Sequence, residues 1–357
     1  MASRLVKDYP WAKAPLVACG PMRLIALSSL AFEVSNAGGL GFVGAGSDVS
    51  TLDAELSKVK EMCSSSSELS SHKDVLPVGV GFLLWAGEQL LNDALPVLEK
   101  FRPAAVWLFA PSQDQQLVDW TEQTRHVTDG KTRIWVQIGT VADAINVTKT
   151  CKPDVLVVQG GDAGGHGLEK CAGLVSLVPE VDDAVGVFCK DHAIKKPHLV
   201  AAGGIMDGRG AAAAVALGTQ GVVMGTRYLA SPEANIAKGY RDAVIKASDG
   251  GVSTQRGKLY DTLRGTTDWP HRYGGRGVLN ETWYDAAKGM SMEENKKLYD
   301  EALKKGDEGW GSNARLTTYA GTGVGLVKEV KGAAAVTFEV RDGANAVLKS
   351  LCSSLQQ

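Results

Sequence analysis

The sequence predicts an α/β chain folded as a closed (β/α)8 TIM barrel with a C-terminal lid or small extra domain. Three observations lead there. Apolar runs and helix-like segments alternate strictly up to residue 249. The runs are continuously apolar, the pattern of parallel strands covered by helices, where a half-exposed sheet would alternate in polarity. There are eight of them, whereas an open doubly wound sheet more often carries roughly five to seven.

The first run, Leu16–Cys19, is short and stops at Gly20-Pro21. Gly41–Ala45 follows the helix-like Ala31–Ala37, and Pro77–Phe82 follows Leu52–Cys63. The Ser-rich Ser64–Ser71 reads either as a loop or as the frayed end of that second helix. Ala105–Phe109 follows Glu88–Lys100, Arg133–Ile138 follows Asp114–Thr128, and Val155–Val158 follows Val141–Thr150. Leu177–Cys189 leads into His198–Ala202, Arg209–Leu217 into Gly221–Met224, and Glu233–Ala247 completes the eighth unit.

Beyond Ala247 the pattern changes to loops with Gly, Arg, Trp and Tyr, then an amphipathic helix near Met292–Lys305 and the run AGTGVGL at Ala320–Leu326. A final helix is expected near Ala344–Leu351. The barrel is therefore assigned to residues 1–249, and residues 250–357 to a lid or substrate-side extension over its mouth, closed by that helix. No repeat of solenoid period and no low-complexity tail is present.

With 44% apolar and 22% charged residues, the chain can bury one large core. A net charge of −2 with no Lys/Arg block argues against nucleic acid or an anionic membrane as the main partner. A small molecule is the expected partner, and nothing sets the oligomeric state. The six cysteines form no CxxC pair and have no His at metal-ligand spacing, so neither a metal site nor a disulfide framework is expected. No apolar run is long enough to span a bilayer, and a cytoplasmic location is the default expectation.

In a barrel the reacting groups sit at the C-terminal ends of the strands. Those positions here are Gly20-Pro21-Met22, Gly79, Gly81, Gln137, Gln159 to Gly167, Gly203-Gly204-Ile205 and Gly225-Thr226-Arg227. Two glycine clusters on the seventh and eighth barrel strands, Gly203-Gly204 and Gly225-Thr226, point to a phosphate, which barrels often bind there through backbone N–H groups. Ordinary turn glycines are the alternative. Gln137 and Gln159 close apolar strands, where an amide must use its donors and acceptors. Either a flavin ring edge or barrel backbone would satisfy them.

His166, in the run QGGDAGGHG, is the candidate general base; capping a helix or binding phosphate is the competing role. His198 starts the seventh strand on the opposite face, and His72, His126 and His192 lie at polar helix ends. His271, in WPHRYGGRG, is a second candidate from the lid, and Asp162 either orients its neighbours or is a surface acid. No Ser-His-Asp order, GxSxG, HExxH or Walker pattern is present, so hydrolase and kinase chemistry has no basis.

These motifs resemble those of the nitronate monooxygenase family, formerly 2-nitropropane dioxygenases, which are FMN-dependent barrels. The resemblance lies in Pro21-Met22, VSNAGGLGFVGAG at Val34–Gly46, QGGDAGGHG at Gln159–Gly167, AAGGIMDGRG at Ala201–Gly210 and MGTRY at Met224–Tyr228, covering Leu16 to Pro232. It implies that Gly203, Gly204, Gly225 and Thr226, joined by Gly164 or Gly165, hold the FMN phosphate. It also implies that Pro21 and Met22 line the isoalloxazine, and that Gln137 and Gln159 meet its polar edge or the ribityl chain. His166 matches the histidine that removes the α-proton of a neutral nitroalkane or binds the nitronate. The implied reaction is oxidation of an alkyl nitronate with O2 to a carbonyl compound and nitrite.

The chain departs from the family pattern at Gly81 and Asp162, where Asn and Glu are frequent, and from residue 250 onward. Tyr319 and Trp269 in that region are pocket aromatics or, by the simpler reading, ordinary packing. Two alternatives are an FMN-dependent NAD(P)H:quinone or enoyl-thioester reductase on the same barrel, and a non-catalytic barrel that senses a phosphate ligand.

Overall fold

The computed structural model describes residues 4–354. Eleven strands are numbered here in chain order: β1 Leu16–Cys19, β2 Leu40–Gly46, β3 Leu76–Leu83, β4 Pro103–Phe109, β5 Arg133–Ile138, β6 Val155–Gln159, β7 Gly165–Leu168, β8 His198–Ala202, β9 Gly221–Met224, β10 Thr254–Gly257 and β11 Tyr273–Val278. Eight of them close a parallel barrel in the order β1-β2-β3-β4-β5-β6-β8-β9, with β9 pairing back onto β1 through Leu16↔Gly221 to Cys19↔Met224. All eight lie on the expected apolar runs; the extra length is one or two residues at an end.

Their residues make strands because they are sealed on both sides. Val155 to Val158 are fully buried, and every residue of β1 and β9 is buried. Inside, the barrel is filled by rings. Trp107 and Trp135 face each other in the β4–β5 register and stack at 5.9 Å, with the Phe42 ring edge-on to Trp107 at 5.2 Å. The Trp135 indole donates to the Tyr9 hydroxyl at 2.7 Å, so the segment entering β1 closes the N-terminal end. The interior is thus a packed core, as in other barrels of this kind.

The helix beginning at Leu52 runs to Ser64, and Ser65–Ser71 continues as a string of turns tied down by Ser66 Oγ donating to Asn36 at 2.6 Å. The last helix is longer than expected, Ala333–Ser354. It lies against the helices Ser28–Asn36 and Gly208–Ala216 and against β1, in the ring of barrel helices, not over the mouth. Arg341 donates to the Ala37 carbonyl at 2.9 Å, and Tyr228 pairs with Thr337 at 2.8 Å. Gly343 backs directly onto Gly208, where an added side chain would collide with the Gly343 and Ala344 backbone.

The segment between β9 and this helix supplies two strands, β10 and β11, of a second, antiparallel sheet in the order β10-β11-β7. It also carries a small apolar cluster of Leu263, Tyr299, Ala302 and Leu316. The stretch after β6 is therefore more than a loop: its second half, β7, pairs with β11 through Gly275↔His166. Among the described residues, no helix is long and apolar enough to cross a membrane, and no cluster of His, Cys, Asp and Glu could hold a metal ion.

Candidate active site

At the end of β1 the backbone follows the barrel wall, with Gly20 N–H donating to the Met224 carbonyl at 3.0 Å. The Pro21 ring lies against Gly81, where any side chain would collide with it. That contact explains glycine at position 81. Met22 sits over Gly44 and Gly225, so this turn spans the ends of β2, β3 and β9.

On the far side, Gly203 and Gly204 follow β8 with φ of 111° and 72°, a left-handed path that favours glycine. Gly225 directly follows β9, and Thr226 is buried. The Thr226 Oγ1 accepts the Gly321 N–H at 3.0 Å, which leaves the hydroxyl hydrogen free to donate outward. Gly321 belongs to the AGTGVGL run, which returns to the mouth and presses its backbone against Gly164. Asp162 anchors that return, accepting Thr322 N–H on its carbonyl at 3.0 Å and the Thr322 hydroxyl on its carboxylate at 2.9 Å. It is an orienting group, not a free surface acid.

The two amides differ. Gln137 accepts the Trp107 indole N–H at 3.1 Å, while its own buried Nε2 has no hydrogen-bond partner. A buried amide donor without a partner loses on the order of 1–3 kcal/mol, so a ligand acceptor there would restore it. Gln159 instead donates to the His166 carbonyl at 3.2 Å and steadies the histidine strand. One of its two donors is thus spent within the protein.

His166 lies on β7 with its side chain 13% exposed. Three backbone carbonyls hold the strand to a single cation: Arg256 donates to Gly165 at 2.8 Å, Gly274 at 2.6 Å and Ala163 at 2.5 Å. Burial, with Arg276 nearby, pulls the Arg256 guanidinium down to about 10. The His166 Nε2 is 2.8 Å from Asp261 Oδ1, on the short helix Leu259–Arg264. The same oxygen accepts the Tyr319 hydroxyl at 3.0 Å and the Thr266 hydroxyl at 3.2 Å. Burial, with the Asp261 carboxylate beside it, pushes the Tyr319 phenol far above its usual range, so it stays a donor. Trp269 stacks flat on the imidazole, with centroids 3.7 Å apart and planes at 3°.

Tyr319 and Trp269 are therefore more than remote packing: both touch His166. His271 is exposed, and its backbone carbonyl accepts Lys258 Nζ at 2.8 Å; it stays outside this cluster. His198 sits at the N-terminal end of β8, 3.9 Å from Asp8, and burial lowers its pKa. Pro21, Met22, Gln137, Gln159, Gly164, Gly165, Gly203, Gly204, Gly225, Thr226 and His166 all gather at one mouth of the barrel. Sequence reasoning missed Asp261, on the helix Leu259–Arg264, and Arg256, on β10, both brought in from beyond β9. An unpartnered amide donor, two left-handed glycines and a hydroxyl free to donate fit a phosphate-bearing ring cofactor.

A protein-family model described as nitronate monooxygenase matches residues 117–258. The chain is 46% identical to "nitronate monooxygenase npaC" of Metarhizium robertsii over 355 residues, covering 98% of this chain and 97% of that protein. It is 36% identical to a nitronate monooxygenase of Neurospora crassa, with coverage of 98% and 94%. Among solved structures, the nitroalkane oxidase of Streptomyces ansochromogenes superposes with a TM-score of 0.70 at 21% identity, covering 97% of this chain and 99% of that one. FabK from Thermotoga maritima gives 0.69 at 22%, covering 99% of each chain. At these identities, the two structures speak for the fold alone.

Proposed function

This chain belongs to the nitronate monooxygenase family, and from that premise we propose that it uses FMN to oxidise alkyl nitronates with O2, giving a carbonyl compound and nitrite. Neutral nitroalkanes enter the same reaction once His166 has removed the α-proton. The observation that carries this reading is the arrangement of the mouth: a histidine paired with a buried carboxylate on one side, and a glycine and threonine cradle with an unpartnered amide donor on the other.

Gly203, Gly204, Gly225 and Thr226, with Gly164 or Gly165, would hold the FMN phosphate. Pro21 and Met22 would line the ring, Gln137 would donate to its polar edge, and Gln159 would keep one donor for the ribityl chain. When bound, FMN supplies the electron acceptor for nitronate oxidation. The chain's own residues position the substrate and handle its proton: His166 accepts the proton or faces the nitronate anion, and Trp269 covers one face of the imidazole.

The test pairs an absorbance spectrum of the purified protein with oxygen uptake on a panel of nitronates, and anaerobic mixing with NADH. A flavin spectrum and nitronate-dependent oxygen uptake are expected. Rapid flavin bleaching by NADH, with none by nitronate, would instead make the chain a reductase. A colourless protein that cannot be reloaded with FMN would support a non-catalytic barrel.

Thr226→Val tests the cradle separately. It removes the outward hydroxyl and strands the Gly321 N–H, changes worth about 1–3 kcal/mol together. FMN is expected to bind the apoprotein about 10- to 100-fold more weakly, read by fluorescence titration. Unchanged affinity would remove Thr226 from the phosphate site.

A further inference from the structure

We propose that Asp261 is a positioning residue for His166, holding Nε2–H on its carboxylate so that Nδ1 is the nitrogen that takes the α-proton. The proposal rests on the reading of His166 as the base. Asp261 is 4% exposed and gathers three groups on one oxygen: His166 Nε2, the Tyr319 hydroxyl and the Thr266 hydroxyl. A carboxylate only accepts, so a contact of 2.8 Å places the hydrogen on Nε2. In the neutral ring the lone pair is then on Nδ1, which makes no hydrogen bond to protein among the described residues.

Two further contacts fix the ring. The Trp269 stack opposes its tilting. Opposite His166 on β11 stands Gly275, where an added Cβ would come within 2.7 Å of the Tyr319 ring and 3.4 Å of Nε2, so glycine keeps the three-way contact open. The charged and titratable groups around the pair are Arg264, over the Tyr319 ring at 5.4 Å, Tyr319 itself, and Arg256 and Arg276 on the adjoining strands.

The proton balance closes without a redox partner. The C–H bond next to the nitro group breaks, its electron pair becomes part of the C=N bond of the nitronate, and the proton ends on Nδ1. The imidazolium keeps its Nε2–H on Asp261, whose negative charge offsets the new positive one.

The variant Asp261→Asn keeps the shape and removes the charge. On neutral nitroalkane, kcat/KM is expected to fall about 10²- to 10³-fold, with oxidation of pre-formed nitronate within about threefold of wild type. Asp261→Glu should recover part of the rate.

Nitrogen NMR of histidine-labelled protein, with His166 assigned through His166→Asn, reads the pair without turnover. Wild type is expected to show the Nε2–H tautomer, and Asp261→Asn a population shifted toward Nδ1–H. An Nδ1–H tautomer in the wild type, or a tautomer balance unchanged in Asp261→Asn, overturns the proposal, as does equal loss on nitroalkane and nitronate. Should wild type fail to turn over nitroalkane at all, the NMR tautomer still tests the pair, so the two readings fail in different measurements.

Discussion

His166→Asn is expected to keep FMN and to oxidise pre-formed nitronate at a measurable rate, yet to lose about 10²- to 10⁴-fold in kcat/KM on the neutral nitroalkane, the range a positioned general base contributes. The selectivity follows from the layout of the mouth. Gly203, Gly204, Gly225 and Thr226, four of the groups that would carry the phosphate, follow β8 and β9, and the His166 side chain, unlike the backbone of its neighbour Gly165, is tied to Asp261 and Trp269 from beyond β9. Removing the ring forfeits a stacking contact of about 0.5–1.5 kcal/mol, too little to unseat the cofactor cradle. Flavin absorbance and oxygen uptake on both forms of one substrate decide it. Equal loss on both forms would give His166 an anion-binding or structural role.

Arg256→Met is expected to act without that selectivity. The methionine fills the space of the stem but leaves the carbonyls of Ala163, Gly165 and Gly274 without their shared donor. Hydrogen bonds to a charged group contribute about 1.5–3 kcal/mol each, against which relief of one buried cation returns a part. The expected net loss is on the order of 3 kcal/mol, read as a lower thermal midpoint, together with at least tenfold lower rates on nitroalkane and nitronate alike. Arg256→Lys should recover little, since one ammonium cannot span three carbonyls as the guanidinium fork does. A variant with wild-type stability and rates would show that β7 holds its place through the β11 ladder alone.

The contrast between the barrel and the lid shows what was legible in the chain. The barrel strands are buried on both faces, so runs such as Val155–Val158 announce themselves by composition, and the residues at their ends share one mouth by topology. The strands of the second sheet carry no such mark. GHGL, TQRG and YGGRGV are short and rich in glycine or polar groups, and what makes them strands is their pairing across the β10-β11-β7 sheet. Asp261 lies 95 residues beyond His166, and no local pattern marks it as that histidine's partner. The final helix starts at Ala333, well before the Ala344 that the sequence suggests. Where it passes Gly343 it packs backbone to backbone against Gly208, at which a side chain would run into Gly343 and Ala344.

That same helix sets a schedule for the newborn chain. The barrel seam joins β1 to β9, and the helix bracing β1 and Ser28–Asn36 is Ala333–Ser354, so β1 waits for partners made much later. Until the ribosome releases residues 333–354, β1 and the helix after it lack that cover, and contacts so distant in sequence form slowly. Cutting the chain at residue 249 to isolate a barrel would strip it of a wall, whereas excising the span between β9 and residue 333 would leave every barrel strand with a helix to shelter it.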